Sequence, residues 1–329
     1  MTRRMPAETD RHERTLMAWP TGVRRDSLWG ERLENARDDY ASIATTIARF
    51  EPVLLVADPS EADDARARVG AHVDVVPMPI DDSWLRDSGP IFVHTDTGER
   101  RAVHFEFNSW GQKYTPFDRD ATIGTRVADF LGVHCDEAHF VLEGGSIAVD
   151  GAGTLVTTER CLLNENRNPD LSRADIEAGL REYLGVEQIV WLADGIAEDD
   201  GTDGHVDNVV AFFGPRSVLL QRSDDSSNPN HEIATNNRAR LDAAGIDVVD
   251  VPHLAYVDGV AGGAPVPYVN LYACNGAVMV PTTGAPEDDE MLRIVAACYP
   301  GREVVAVPGG NLAHGGGGVH CITQQVPAP

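Results

Sequence analysis

A chain of 329 residues with 42% hydrophobic side chains spread along its length can bury a sizeable core, which excludes wholesale disorder. Its formal net charge of -25 argues against nucleic acid as a partner, and no apolar run approaches the roughly 18 residues of a membrane span. Lys113 is the sole lysine among 27 basic residues, and this arginine-based, acidic surface suits a halophilic protein whose self-repulsion is screened by salt.

The N-terminal stretch MTRRMPAETDRHERT is charged and has no apolar core, so residues 1–15 read as a tail without a signal peptide, and a soluble cytoplasmic protein is expected. Five cysteines (Cys135, Cys161, Cys274, Cys298 and Cys321) form no CxxC pair, which points to a reducing compartment and away from a disulfide framework. An opening helix is expected from Ser27 to Phe50, capped by Asp26 or Ser27, with Leu33, Ala36, Tyr40, Ile43 and Ile47 at helical spacing.

From there the chain cycles. Short helices are predicted to start near Ser60, Asp118, Leu171, Asn230 and Pro286, about 53 to 59 residues apart. Each leads into a β-rich run: VDVVPMP, AHFVLEG, EQIVWL, IDVVDVP and REVVAVP. Further strands follow, as in GPIFVHT, GSIAVD with TLVTT, and NVVAFF with SVLLQ. Units repeated at a fixed period suggest packing about a common axis, hence one α/β propeller-like domain over residues 1–329.

Ionisable, glycine-rich clusters fall just past the strands in four units: DDSWLRDSGP, LEGGS, GTDGHVDN and HGGGGVHC. The remaining unit offers PYVNLY, where Asn270 is the polar side chain expected to point inward. Cys321, after the run Gly315 to Gly318, is a nucleophile candidate or a buried core thiol. His205 and Asp207, two residues apart, share a face and suit acid/base work, unless they lie in a solvated loop. With His320 and Cys321 they could also ligate a metal, although no further ligand has suitable spacing.

Asp87, three residues after Trp84, pairs a carboxylate with an aromatic face, which a planar guanidinium cation requires. Arg86 between them could instead pair with Asp81 or Asp82 on the surface. Glu143, at the end of an apolar strand, needs either an arginine or a cationic ligand beside it. A thiol, an imidazole and three carboxylates around one pocket fit attack on a cationic carbon.

The blocks DDSWLRDSGPIFV, FNSWGQKY, LEGGSIAVDGAGTLVTTERCLLNENRNP, DGHVDNVVAFF, VNLYACNGAVMVP and GGGGVHCITQQ resemble, in this order, the agmatine deiminase family. That family is related to bacterial-type peptidylarginine deiminases of the guanidine-modifying superfamily. The resemblance runs from about Met17 to the end and implies a five-bladed, pseudo-fivefold α/β propeller (the pentein fold) with a central active site. It implies that Cys321 attacks the guanidinium carbon and forms an amidino thioether. His205 would protonate the departing ammonia and then activate water. Asp87 and Asp207 would hold the guanidinium nitrogens, Glu143 would bind the cation and position His205, and Trp84 would pack against it.

Agmatine would yield N-carbamoylputrescine and ammonia, with no metal or cofactor. The partner implied is a small cationic guanidine, not nucleic acid or membrane, and a homo-oligomer is compatible with it. Gly318, His314 and Gln112 depart from the family pattern. They leave open free or peptidyl arginine as the substrate. A non-catalytic propeller scaffold and a metal-dependent hydrolase are the readings from other classes.

Overall fold

In a computed structural model that describes residues 3–258 and 263–329, all five predicted helix–strand units form. Four share one pairing scheme: an antiparallel hairpin, a helix, and a strand laid parallel to the second hairpin strand. They comprise Ile91–Thr95, Arg100–Glu106, Ile123–Leu131 and Cys135–Val141; then Ile147–Val149, Thr154–Thr158, Arg173–Leu184 and Gln188–Leu192. The next two are Val210–Gly214, Ser217–Gln221, Pro229–Ala243 and Asp247–Val251, and Tyr272–Cys274, Ala277–Thr282, Asp288–Cys298 and Glu303–Pro308. Parallel pairing needs a crossover, and the helix supplies it while covering the sheet's apolar face.

The fifth sheet is assembled from both ends of the chain. The last strand, Thr323–Pro327, runs antiparallel to His12–Ala18, which pairs in parallel with Val53–Ala57 and then Asp74–Pro77. Its helices are Leu33–Ile47 and Ala62–Val69. A two-stranded hairpin, Ala255–Val257 with Ala264–Val266, stands apart from these sheets. No helix among the described residues is long and apolar enough to cross a membrane.

Two expectations are corrected. The opening helix begins at Leu33, not Ser27, and no side chain caps it. Three short irregular turns occupy Gly22–Arg32, and Gly30, at φ +55°, prevents a continuous helix. The N-terminal residues are not a tail. Arg3 and Arg4 pair with Thr95 and His94, and the Met5 amide donates to the Leu184 carbonyl at 2.9 Å. Gly185 makes this possible: it ends the helix at φ +69°, and a β-carbon there would lie 1.7 Å from the Arg3 carbonyl oxygen.

The parallel strand interiors read as continuous apolar runs because both faces are covered: Val53–Ala57 is wholly buried, packed under Tyr40, Ile43 and Ile47 on one side. Beyond the strand ends, the turns at Leu85–Ser88, Gly144–Ser146, Val206–Asn208 and His320–Ile322 pack on one another. These are the four chemical clusters of the sequence.

The junction of the fifth sheet with the fourth unit is polar and buried. Glu51 accepts from His12 Nδ1 at 3.0 Å, from Thr15 Oγ1 at 2.5 Å and from the Asn275 amide at 2.6 Å. Burial works against its charge, but these donors hold its carboxyl below the usual range. A depressed carboxylate contributes stability above its unfolded value, and that contribution is lost as pH falls through the folded one. Glu51→Gln is therefore expected to lower unfolding free energy at pH 7 by about 1–3 kcal/mol. In urea melts the deficit should narrow below about pH 4, and a deficit independent of pH would contradict this account.

Candidate active site

Cys321 lies in a short turn just before the last strand, not within it, and is 5% exposed. Its Sγ is 3.4 Å from Asp207 Oδ2 and 3.2 Å from Asn270 Nδ2. Burial, together with Asp207 and Asp87, pushes the thiol well above its ordinary value, so the resting sulfur is protonated.

His205 is fully buried, and neither ring nitrogen has a hydrogen-bond partner. Its backbone amide is anchored by Asp199 Oδ2 at 3.1 Å and Thr202 Oγ1 at 3.2 Å. Nδ1 stands 3.8 Å from Asp87 Oδ1, and Nε2 stands 3.9 Å from Glu143 Oε2. Burial opposes a charged ring, yet Asp87, the Cys161 sulfur and Glu143 outweigh it and hold the imidazole well above its usual range. The ring is an imidazolium flanked by two carboxylates, poised to give up a proton.

The carboxylates are held differently. Asp87 accepts from the Trp110 indole at 2.9 Å and from the Gly145 amide at 2.9 Å. Burial lifts its carboxyl to about 6; Asp207 and Glu143 add to the rise, while His205 and the Gly145 amide oppose it. Glu143 Oε1 accepts from Arg167 Nε at 2.6 Å, while Oε2 is buried without a partner. Asp207 Oδ2 accepts from His320 Nδ1 at 2.9 Å, while Oδ1 has no partner. Burial works against its charge, but His320 and His205 keep its carboxyl below the usual range. Two free acceptor oxygens in a buried, anionic site await N–H donors of a cation.

The backbone lets these side chains close on one another at Gly145. A β-carbon on Gly145 would lie 2.6 Å from His205 Nδ1, 2.8 Å from Asp87 Oδ1 and 3.0 Å from Asp207 Oδ2. Trp84, stacked on Trp29 at 5.6 Å, joins Trp110, Tyr114, Asp82, Asp87 and Cys321 in lining a cavity of about 360 Å³. That cavity shares Leu28, Tyr114, Gly201, Gly315 and Gly316 with a wider one of about 950 Å³, whose carboxylates are Glu198 and Asp199. Among the described residues, neither is lined by arginine or lysine.

All six residues singled out from the sequence (Cys321, His205, Asp87, Asp207, Glu143 and Trp84) meet here. Arg86 does not pair with Asp81 or Asp82 on the surface. It is buried and bonds Glu8, Gln325 and the His320 carbonyl. The metal-ligand grouping among the described residues is Glu143, Cys161 and His205, within 4.8 Å of one another, not His205 and Asp207 with His320 and Cys321. Arg167 already sets a fixed cation against it.

Trp110 and Arg167 were not singled out, although both stand in the recognised blocks FNSWGQKY and NENRNP. Trp110 reaches Asp87 only because Ser109, Trp110, Gly111 and Gln112 run left-handed, with φ of +55°, +53°, +86° and +62°. No sequence period announces such a turn.

Residues 4–327 match the Porphyromonas-type peptidyl-arginine deiminase family. The agmatine deiminase of Pseudomonas aeruginosa strain LESB58 is 42% identical over 99% of this chain and 96% of its own. The solved agmatine deiminase of Enterococcus faecalis superposes with a TM-score of 0.92 at 34% identity, covering 99% of this chain and 96% of that one. DDAH from Pseudomonas aeruginosa, at 13% identity and a TM-score of 0.55 over 96% of this chain and 99% of its own, is similar in fold alone.

Gly145→Ala places a methyl group between the carboxylates and the imidazolium. It is expected to cut kcat/KM on a guanidinium substrate at least about 100-fold, because displacement of about 1 Å at the reacting groups suffices. Folding, followed by circular dichroism, should survive. Near-normal kinetics in the variant would mean that the close approach of these groups at Gly145 is not needed for turnover.

Proposed function

The chain belongs to the Porphyromonas-type peptidyl-arginine deiminase family, and from that premise we propose that it is an agmatine deiminase, releasing N-carbamoylputrescine and ammonia through a covalent intermediate on Cys321. The observation that carries the reading is a protonated thiol in one buried cluster with two partnerless carboxylate oxygens, beside a cavity that among the described residues is lined by carboxylates but by no arginine or lysine.

In this mechanism the guanidinium enters beside Gly145, and its N–H groups bond Asp87, Asp207 and Glu143 while Trp84 and Trp110 border the plane. The incoming positive charge offsets the carboxylates that suppress ionisation of Cys321, so when its target is present the thiol releases its proton to bulk water and the thiolate forms. Its attack on the cationic carbon gives a neutral tetrahedral adduct. His205 protonates one nitrogen, the C–N bond breaks, ammonia leaves, and an amidinium thioether remains. Water then adds to the same carbon and gives its proton to the now neutral His205. Collapse expels the Cys321 sulfur, which takes up the hydroxyl proton of the adduct, and leaves the neutral ureido product and the resting thiol.

Specificity for agmatine draws support from the outer cavity. Glu198 and Asp199 offer negative charge to the distal ammonium of a diamine, whereas the carboxylate of arginine would meet like charge and, among the described lining residues, no arginine or lysine. The same proposal extends to the architecture. Four sheets of one pattern and a fifth built from both chain ends form a five-bladed propeller in a single domain, with the nucleophile near its axis. Five cysteines in the free thiol form accord with a cytoplasmic setting.

Ammonia release should favour agmatine over arginine by at least about 100-fold in kcat/KM, and activity on arginine alone would sink the assignment. A mass spectrum after acid quench should carry an amidino adduct on Cys321, and Cys321→Ala should fold yet release no ammonia. With agmatine, kcat/KM should fall as pH drops through about 6, because protonated Asp87 no longer attracts the cation.

A further inference from the structure

Beyond Asp207 lies an ion chain that the reaction above does not use. His320 donates from Nδ1 to Asp207 Oδ2 at 2.9 Å, and its Nε2 lies 2.9 Å from Glu8 Oε2. Glu8 is otherwise held by Arg86 at 3.1 Å and, through Oε1, by the Ala273 amide at 2.8 Å. Arg86 returns to the His320 carbonyl at 3.2 Å and to Gln325 at 2.8 Å, closing a loop of charge-assisted bonds. The groups facing His320 are thus Asp207 from the Val206–Asn208 turn, Glu8 from the N-terminal segment, Arg86 from the Leu85–Ser88 turn, and the neighbouring Cys321. Asn270 Oδ1 fixes the His320 amide at 3.0 Å.

An imidazole between two carboxylates in a poorly solvated site keeps both protons. Burial and Arg86 act against the charge on His320, but Glu8 and Asp207 outweigh them and raise it, while Glu8 itself is held down to about 2. The Asp207 oxygen at the end of this chain is the one 3.4 Å from the Cys321 sulfur.

We propose that Glu8 is a positioning residue for deimination, acting through His320 to hold the Asp207 carboxylate in one orientation and in its ionised form beside the nucleophile. It touches neither the thiol nor the cation cavity, so its influence falls on binding rather than on bond making. Loss of the Glu8 charge weakens the hold of His320 on its second proton. As pH rises, the ring becomes neutral, and Asp207 loses the cation that keeps it ionised and fixed.

The inference rests on the agmatine deiminase reading, and its test separates the two. Wild type and Glu8→Gln are compared by NMR titration of 13C-labelled histidines, with His320→Gln identifying the His320 signal, and by kcat and KM for agmatine from pH 6 to 9. His320 is expected to lose its proton at least about one pH unit lower in Glu8→Gln. KM should rise about tenfold and kcat change less than about threefold, with the KM effect growing toward alkaline pH. A folded Glu8→Gln in which His320 titrates as in wild type, or in which KM is unchanged at every pH, overturns the proposal. A fall in kcat alone also overturns it.

If wild type does not turn over agmatine, the substrate assignment fails and the titration alone decides the positioning pair. If Glu8→Gln does not fold, His320→Gln, which keeps a donor toward Asp207 without the charge, is expected to raise KM about as much at all pH values. Wild-type KM in that variant counts against the proposal.

Discussion

Three carboxylates crowd one buried volume beneath a cysteine, and the cost of keeping negative charge out of water organises everything around them. Each is managed by a different device. Glu143 is bound to Arg167, which Asp203 and the Thr202 carbonyl hold in turn. Asp207 is bound to His320. Asp87 is hydrogen-bonded only by neutral donors, an indole and a backbone amide, and burial lifts its carboxyl to about 6. The compensation stops short of completion: Glu143 Oε2 and Asp207 Oδ1 remain without partners. A site in this condition favours a ligand that brings positive charge and N–H donors, as the proposed substrate does.

The fold's part is to bring those devices from distant places in the chain. Turns that follow strands of separate sheets meet at their ends, so Asp87, Glu143, Asp207 and Cys321 can be neighbours although 234 residues separate the first and last of them. Closing the fifth sheet with Thr323–Pro327 against His12–Ala18 fixes Cys321 two residues before the closing strand and draws the N-terminal segment under the site. Glu8 reaches His320 for that reason, and the polar junction of His12, Glu51 and Asn275 secures the same seam.

Much of this was legible in the residues themselves. The period of the helices and their following strands could be read because apolar spacing depends on local geometry, and the observed helices begin within a few residues of the expected starts. The six site residues were legible through residue type at strand ends. What escaped depends on long-range contact or on unusual backbone. Arg86 looked like a surface partner of its acidic neighbours, because nothing local reveals that Glu8, 78 residues earlier, lies against it. The N-terminal charges looked like a tail because pairing with Thr95 and His94 leaves no mark in composition. The helix start slipped to Leu33 because Gly30, at φ +55°, interrupts the helix while the apolar periodicity gives no sign of it.

The suppressed acidity of Cys321 reaches beyond turnover. Peroxide and other oxidants react with thiolates far faster than with thiols. On the proposed mechanism, a sulfur that ionises only when a cation fills the pocket is chemically quiet between encounters, and the filled pocket then shields it sterically. On the proposed mechanism, the carboxylates that make the site expensive to fold also protect the Cys321 sulfur from oxidative damage.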